Sequence, residues 1–377
     1  MSSGMFIFIY VVTIMLVVVV HEAGHFTMAK IFRIKVEEFF VGFGPRIWSF
    51  RRGETEYGVK ALPLGGYVRI AGMNPFQEIS PEELPRTYGA KPPWQRALVI
   101  AAGPVTHFAI ALLVLAIYFA AIGAPKTFRP QITGVGATLD GKPSPGAVAG
   151  LRPGDVVTAM DAVRHPTEDQ FRAYIHSHAG RAVRLTVLRD GRTVTLEATP
   201  ALARCGDVTA GCLGILVEGG PVLTRDRPGL ITGVGRAAIT VGSMVKAVIE
   251  SLGHVFGPSG LGRIWDLLRG APRKTSDVGS VVGGYRLATQ ATQAGRWDLL
   301  FSLFAGFNVF VGILNFLPLP PLDGGHIAVL VAEKVTRRKV DVRRLVPLTA
   351  LITGFMVILM VSLIYLDVVN PIPNPFH

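Results

Sequence analysis

Two histidines and a glutamate near the N-terminus form the pattern His21-Glu22-Ala23-Gly24-His25. On a helix, residues four apart lie one above the other, so both imidazoles can reach a single Zn²⁺. Glu22 lies beside His21 and can take a proton from a water on that metal. Two core histidines next to an incidental glutamate are the alternative, but an unpaired buried carboxylate is costly. The pattern therefore predicts metal-assisted hydrolysis.

The motif lies in an apolar segment, and ionisable side chains at membrane depth mark a functional site by default. This first segment continues through both histidines without a small-residue cleavage site, which predicts a retained span and not a signal peptide. An α-helix needs about 20 apolar residues to cross about 30 Å of hydrocarbon. The runs of about that length are residues 5–32, 97–122, 299–317 and 346–369.

Half of the 377 residues are hydrophobic, and the formal net charge is +12. Lysine and arginine are concentrated in residues 30–96 and 334–344, which the positive-inside rule places in the cytoplasm. With four spans, both termini and residues 123–298 then lie outside. Because membrane topology accounts for much of the basicity, we do not expect a nucleic-acid partner.

The external stretch contains a pattern of short strands and turns. Alternating apolar residues flank the turn Asp190-Gly191, which predicts a hairpin, and Phe171, Tyr174, Ile175 and His178 follow helical spacing. Residues 146–157 resemble the loop-and-strand signature of PDZ domains. That resemblance implies a groove for an extended peptide or chain terminus, although a purely steric screen is equally compatible. Cys205 and Cys212 can form a disulfide there or remain thiols.

Residues 230–254 are moderately apolar but contain Arg236, Lys246 and Glu250. This mixture predicts an amphipathic helix in the outer interface. A fifth span is the alternative, and it would place residues 334–344 outside.

Catalytic zinc sites usually have three protein ligands and one open position. Asp323 is the best third ligand, because it follows the third apolar run in a segment where prolines interrupt the helix and glycines allow close backbone approach. Asp323 could instead cap the helix that follows. His326 is the competing ligand.

Together these motifs resemble the site-2 protease family of intramembrane zinc metalloproteases, and most closely the bacterial regulator-of-sigma-factor proteases. The resemblance rests on residues 21–25, on Leu322-Asp323-Gly324 after Asn315 and Pro318, and on the PDZ-like insert. Residues 41–45 and 64–70 also resemble the family's cytoplasmic-side loop, which re-enters the membrane as β-structure. Where the family often has Asn, this chain has His107, whose role is packing, a polar contact or auxiliary ligation.

The resemblance implies that His21, His25 and Asp323 bind Zn²⁺ and that Glu22 activates the water. Asn315 would hold the substrate backbone or a developing oxyanion, or else would hydrogen-bond the broken helix. A strand edge would hold an unwound substrate span in extended form. The residues of that edge are Gly65, Gly66, Tyr67 and Val68.

We therefore expect a polytopic α-helical membrane protein with four transmembrane helices, a membrane re-entrant β element and an inserted extracytoplasmic PDZ (α+β) domain. The expected parts are an N-terminal membrane part (1–122), the PDZ domain (123–205), a linker with an interfacial helix (206–298) and a C-terminal membrane part (299–377). The resemblance implies a bacterial inner-membrane endopeptidase with its active site near the cytoplasmic side. Its partners would be membrane lipid and single-pass substrates such as anti-sigma factors. The alternatives are a catalytically silent PDZ-bearing adaptor with a structural metal, and a zinc hydrolase acting on lipid or a small amide.

Overall fold

The structure is a computed structural model that describes residues 3–74, 76–205, 208–274, 277–293 and 296–373. The helices are α1 (Ser3–Ile31), α2 (Pro93–Ile117), α3 (Pro145–Val148), α4 (Glu168–Ser177), α5 (Leu230–Phe256), α6 (Pro258–Leu268), α7 (Val281–Gln293), α8 (Trp297–Asn315), α9 (Asp323–Thr336) and α10 (Val346–Val369). The strands are β1 (Val36–Arg52), β2 (Thr55–Ile70), β3 (Ala124–Val135), β4 (Thr138–Leu139), β5 (Lys142–Pro143), β6 (Val156–Met160), β7 (Val163–Arg164), β8 (Val183–Arg189), β9 (Arg192–Ala198), β10 (Ala201–Cys205), β11 (Val208–Cys212) and β12 (Ile215–Asp226).

The chain divides into two compact units. The membrane unit consists of Met1–Ala116, Val234–Gln290 and Leu299–Pro373, and the insert unit is mainly Ile117–Gly233. All four predicted apolar runs form long helices, namely α1, α2 with its π-helical end, α8 and α10. Among the described residues, α5 is a fifth helix that is long and apolar enough to cross a membrane, although its mean hydropathy of 1.2 is the lowest of the five.

The hairpin of β1 and β2 folds back on itself into a small sheet. Residues 36–41 pair on one side with residues 66–70 and on the other with residues 56–59, which in turn pair with residues 48–51. Gly42 and Gly44 have positive φ angles of 87° and 85°, which allow β1 to bend sharply at this point. Residues 66–70 therefore form one edge of the sheet.

A buried apolar cluster joins this sheet to the adjacent helices. Its residues are Ala29 on α1, Ile34, Val36 on β1, Ile70 on β2, Tyr88, and Val99 and Ile100 on α2. Nearby, Arg96 of α2 forms an ion pair with Glu333 of α9, with 3.0 Å between Nη1 and Oε2. The N-terminal end of α2 and the C-terminal part of α9 therefore lie at the same end of the membrane unit.

The insert unit is built on a sheet with strand order β12-β3-β6-β8-β9 and β7 beside β6. The predicted hairpin is confirmed, because Arg189 pairs with Arg192 and the turn residues Asp190 and Gly191 both have positive φ. The predicted helix is also confirmed as α4, whose Phe171 and Ile175 are buried against the sheet. A capping box begins this helix, with Thr167 and Gln170 satisfying each other's backbone N–H groups.

The compact insert unit continues past residue 205, where the PDZ domain was expected to end. Strand β12 pairs with β3 along most of its length, and the compact unit continues to Gly233. Residues 206 and 207, where the linker was expected to begin, lie outside the described residues. Cys205 and Cys212 form a disulfide that joins the paired strands β10 and β11.

Candidate metal centre

Helix α1 brings the two motif histidines together. Its continuous helical geometry places the Nε2 atoms of His21 and His25 3.1 Å apart. Gly24 lies where α2 crosses α1, and a Cβ there would be 2.6 Å from the carbonyl oxygen of Ala102. A glycine between the histidines thus allows the two helices to approach closely.

Asp323 reaches the same point from the start of α9. Its Oδ2 atom lies 3.3 Å from Nε2 of His21 and 3.3 Å from Nε2 of His25. The chain folds back after α8, and a Cβ at Gly324 would be 2.2 Å from the carbonyl oxygen of Leu317. Only glycine permits this approach. Leu322 occupies the N-cap position of α9, so the Asp323 side chain does not cap the helix.

The three atoms have the spacing of three zinc ligands. Atoms that bind a tetrahedral zinc at about 2.0–2.1 Å are about 3.3–3.4 Å apart, and the observed separations are 3.1, 3.3 and 3.3 Å. Oδ2 of Asp323 is buried and accepts no hydrogen bond from the described residues. Because a buried carboxylate oxygen without a donor is costly, this donor set fits a bound cation.

The far side of the His25 ring is fixed by the backbone. Nδ1 of His25 lies 2.8 Å from the carbonyl oxygen of Val99, which can only accept, so Nδ1 carries the proton. Nε2 of His25 therefore presents its lone pair to the centre, as a metal ligand requires.

Two other histidines that the sequence raised as possible ligands lie outside this cluster. His326 is not one of the three clustered groups. His107, on α2, contacts the opposite side of His21, with 3.1 Å between its Nε2 and Nδ1 of His21. Of the three roles considered for His107, the structure shows a polar contact.

Gly103 is a part of the site that the sequence analysis did not identify. A Cβ at this position would lie 2.2 Å from Nε2 of His25 and 2.9 Å from Cε1 of His21. The two imidazoles thus occupy the space that a side chain on α2 would fill. The Gly103-Pro104 pair within an apolar helix was the available signal.

Glu22 and Asn315 lie beside the cluster and not within it. The Cγ atom of Glu22 lies 3.5 Å from the Cβ position at Gly66, and its carboxylate interacts with the backbone of Val68. Asn315, at the end of α8, helps to line a cavity of about 210 Å³ that also touches His21. Its side chain makes no hydrogen bond within the described part of the chain.

The proposed substrate edge lies on β2. Gly65 has a φ of 134°, and the Phe43 ring lies 2.9 Å from its Cβ position. The Tyr67 ring stacks on Phe40 and Phe43, and its hydroxyl donates to Glu38. Val68 pairs with Phe39 on the inner side of this strand.

Comparison with known proteins identifies a family and several relatives. Residues 9–362 match the model of peptidase family M50. Zinc metalloprotease Rip1 of Mycobacterium tuberculosis is 32% identical over 97% of this chain and 98% of its own length. Metalloprotease MmpA of Caulobacter vibrioides is 33% identical, covering 85% of each chain.

Among solved structures, the PDZ domain of an SdrC-like protein from Listeria innocua aligns with 25% of this chain and 99% of its own, at 18% identity and a TM-score of 0.21. The family match and the Rip1 match cover nearly the whole chain, and the family match includes both parts that supply the clustered side chains. The chain therefore belongs to peptidase family M50 and is a membrane zinc metalloprotease of the site-2 protease type.

Proposed function

We propose that His21, His25 and Asp323 hold one Zn²⁺ and that Glu22 is the base in peptide-bond hydrolysis. The triangle of ligand atoms carries this proposal, because it places three zinc-binding groups together, two of them on the long apolar helix α1. A zinc ion supplies Lewis acidity and an acidified water at neutral pH. Glu22 is adjacent to the cluster but is not a ligand, which leaves its carboxylate available to accept a proton.

The substrate is proposed to be a single-pass transmembrane protein such as an anti-sigma factor. A helical span hides its carbonyl groups, so it must unwind before cleavage. Gly66, Tyr67 and Val68 lie on a sheet edge next to Glu22, directly after Gly65, and such an edge can hold an extended chain by backbone hydrogen bonds. The amide of Asn315 has no hydrogen-bond partner among the described residues and lines the same cavity as His21, which suits it to hold the substrate backbone or a developing oxyanion.

We infer four spans, α1, α2, α8 and α10, in a bacterial inner membrane. The Arg96–Glu333 ion pair supports this count, because it sets the start of α2 and the end of α9 on one side. With one crossing each proposed for α2 and α8, this placement is consistent with no single crossing by α5. Helix α5 then lies in the outer interface, as its charged residues favour, and the insert is extracytoplasmic.

The insert is proposed to be a PDZ domain that binds an extended peptide. Strand β12 is an edge of the sheet, and a groove of about 640 Å³ lies between it and α4. Phe171, Ile175, Leu213 and Ile215 line this groove with apolar surface. A peptide can therefore add to β12 as a further strand.

The substitution Glu22→Gln tests the catalytic proposal in the full-length protein reconstituted in vesicles with a single-pass substrate. The amide keeps the size of the side chain but cannot act as a base, so cleavage should disappear while one zinc per chain remains. Glu250→Gln, an exposed change on α5, is the matched control and should cleave normally.

Mass spectrometry of the products would locate the cleaved bond within the substrate span. Continued cleavage by the Glu22→Gln protein would remove Glu22 from the mechanism. An unchanged phenotype in cells together with retained zinc would instead favour an adaptor with a structural metal.

A further inference from the structure

His21 is joined to a buried polar chain that the catalytic proposal does not use. Nδ1 of His21 lies 3.1 Å from Nε2 of His107, and Nδ1 of His107 lies 3.2 Å from Oδ1 of Asn308 on α8. His107 and Asn308 are 2% and 0% exposed. Polar groups so deeply buried are retained only where their hydrogen bonds are satisfied.

The direction of each hydrogen bond in this series follows from Asn308, its last member. Nδ2 of Asn308 donates to the carbonyl oxygen of Phe304 at 2.9 Å, which leaves Oδ1 facing His107 as an acceptor. Nδ1 of His107 must therefore carry a proton, and Nε2 of a neutral His107 is an acceptor. The only proton available between the two rings is then the one on Nδ1 of His21.

We propose that His107 and Asn308 are positioning residues that hold His21 in its Nδ1-protonated tautomer, with the Nε2 lone pair directed at Asp323 and His25. This inference rests on the proposed function. The two histidine ligands are thus oriented in different ways. His25 uses a backbone carbonyl, whereas His21 uses side chains from two other helices.

Zinc affinity of the full-length protein, measured by chelator competition, tests the proposal. His107→Leu removes the acceptor and should weaken zinc binding about 10–100-fold, as loss of such outer partners typically does. His107→Gln returns an acceptor oxygen near the position of Nε2 and should restore affinity to within about threefold. Leu115→Val alters a buried residue of α2 away from the site and is the packing control.

Asn308 provides an independent test. Asn308→Leu should weaken zinc binding in the same way, whereas Asn308→Asp keeps an acceptor for His107 and should retain affinity. ¹⁵N NMR of the imidazole groups in the zinc-loaded protein should show His21 protonated at Nδ1, and a mixed tautomer in His107→Leu. If His107 only filled space, its substitution would not change the tautomer signal of His21.

Wild-type zinc affinity in folded His107→Leu and Asn308→Leu proteins would overturn the inference. Equal losses in His107→Leu and His107→Gln, both folded, would also overturn the acceptor role. Either result leaves the proposed function intact as long as His21→Ala still abolishes zinc binding. Zinc binding that survives His21→Ala would instead refute the proposed ligand set itself.

Discussion

One aspartate from each unit of the molecule, Asp155 and Asp323, shows how differently the same residue type can be used. In the insert unit, both carboxylate oxygens of Asp155 bind Arg189 at 2.7 Å, and Oδ2 also accepts from the backbone N–H of Arg152. In the membrane unit, Oδ2 of Asp323 accepts no hydrogen bond from any described residue and instead faces two ring nitrogens.

The difference separates a carboxylate whose charge is neutralised within the protein from one that faces the ring nitrogens of two histidines. Asp155 is neutralised by the protein's own guanidinium, so its position needs nothing further. Asp323 and the two histidines together present acceptor atoms, and only a cation satisfies all three. Whether the protein supplies hydrogen-bond donors to the carboxylate oxygens therefore distinguishes Asp155 from Asp323 more clearly than burial does.

The strongest test of this comparison is Asp323→Ala. Loss of one of the three proposed protein ligands should reduce zinc affinity by more than about 100-fold and abolish cleavage, because outer-shell changes alone cost about 10–100-fold. Zinc content of the purified protein after dialysis against a chelator measures the effect. His326→Gln is the control and should retain one zinc per chain. Full retention of zinc in Asp323→Ala would redirect the third-ligand assignment to His326 or His107.

Gly103→Ala tests whether the space around the two imidazoles is essential. The added methyl group would overlap Nε2 of His25, so we expect zinc affinity to fall about tenfold or more, as the rings lose their alignment. Gly306→Ala is the matched control, because no atom lies within 4 Å of the Cβ position at this glycine on α8. Chelator competition on both variants would show whether the effect is specific to the site.

Local patterns allowed much of the architecture to be predicted from the sequence. The apolar runs, the hairpin at Asp190-Gly191 and helix α4 depend on short-range periodicity and turn chemistry, and the structure contains all three. The pairing of His21 and His25, four residues apart on one helix, could also be predicted from the local sequence. Strand β12 was missed because its partner β3 lies about 90 residues earlier in the chain.

The residues that position the site could not be predicted from sequence patterns. Val99 acts through its carbonyl group, Gly103 through the lack of a side chain, and Asn308 through a contact with a residue about 200 positions away. The Gly103-Pro104 pair is the one sequence signal among these roles, and the contacts of Val99 and Asn308 leave no residue-type signature at a fixed spacing. They emerge only when α1, α2 and α8 pack together.

Asp155→Asn tests the other half of the comparison. Removing the charge leaves the largely buried Arg189 without its carboxylate partner, although it still donates to the Gly150 carbonyl, and this should destabilise the insert unit by about 3 kcal/mol. Hydrogen exchange of β6 and β8 amides in the full-length protein measures this loss. Asp140→Asn, at an exposed turn position with positive φ that Asn tolerates, should change exchange little. Zinc content should be unchanged in both proteins.

The smallest expected effect is a dependence of insert stability on pH. Burial would raise the pKa of Asp155, but Arg189 and the Arg152 N–H outweigh it and hold the pKa below its ordinary value. The ion pair therefore contributes stability above the unfolded-state pKa of about 3.9, and this contribution is lost as the pH falls through the lower folded-state pKa. Exchange of the β6 and β8 amides, corrected for intrinsic rates, should accelerate more steeply below about pH 4 in the wild type than in Asp155→Asn. Parallel slopes in the two proteins would show that Asp155 does not set the acid sensitivity of the insert.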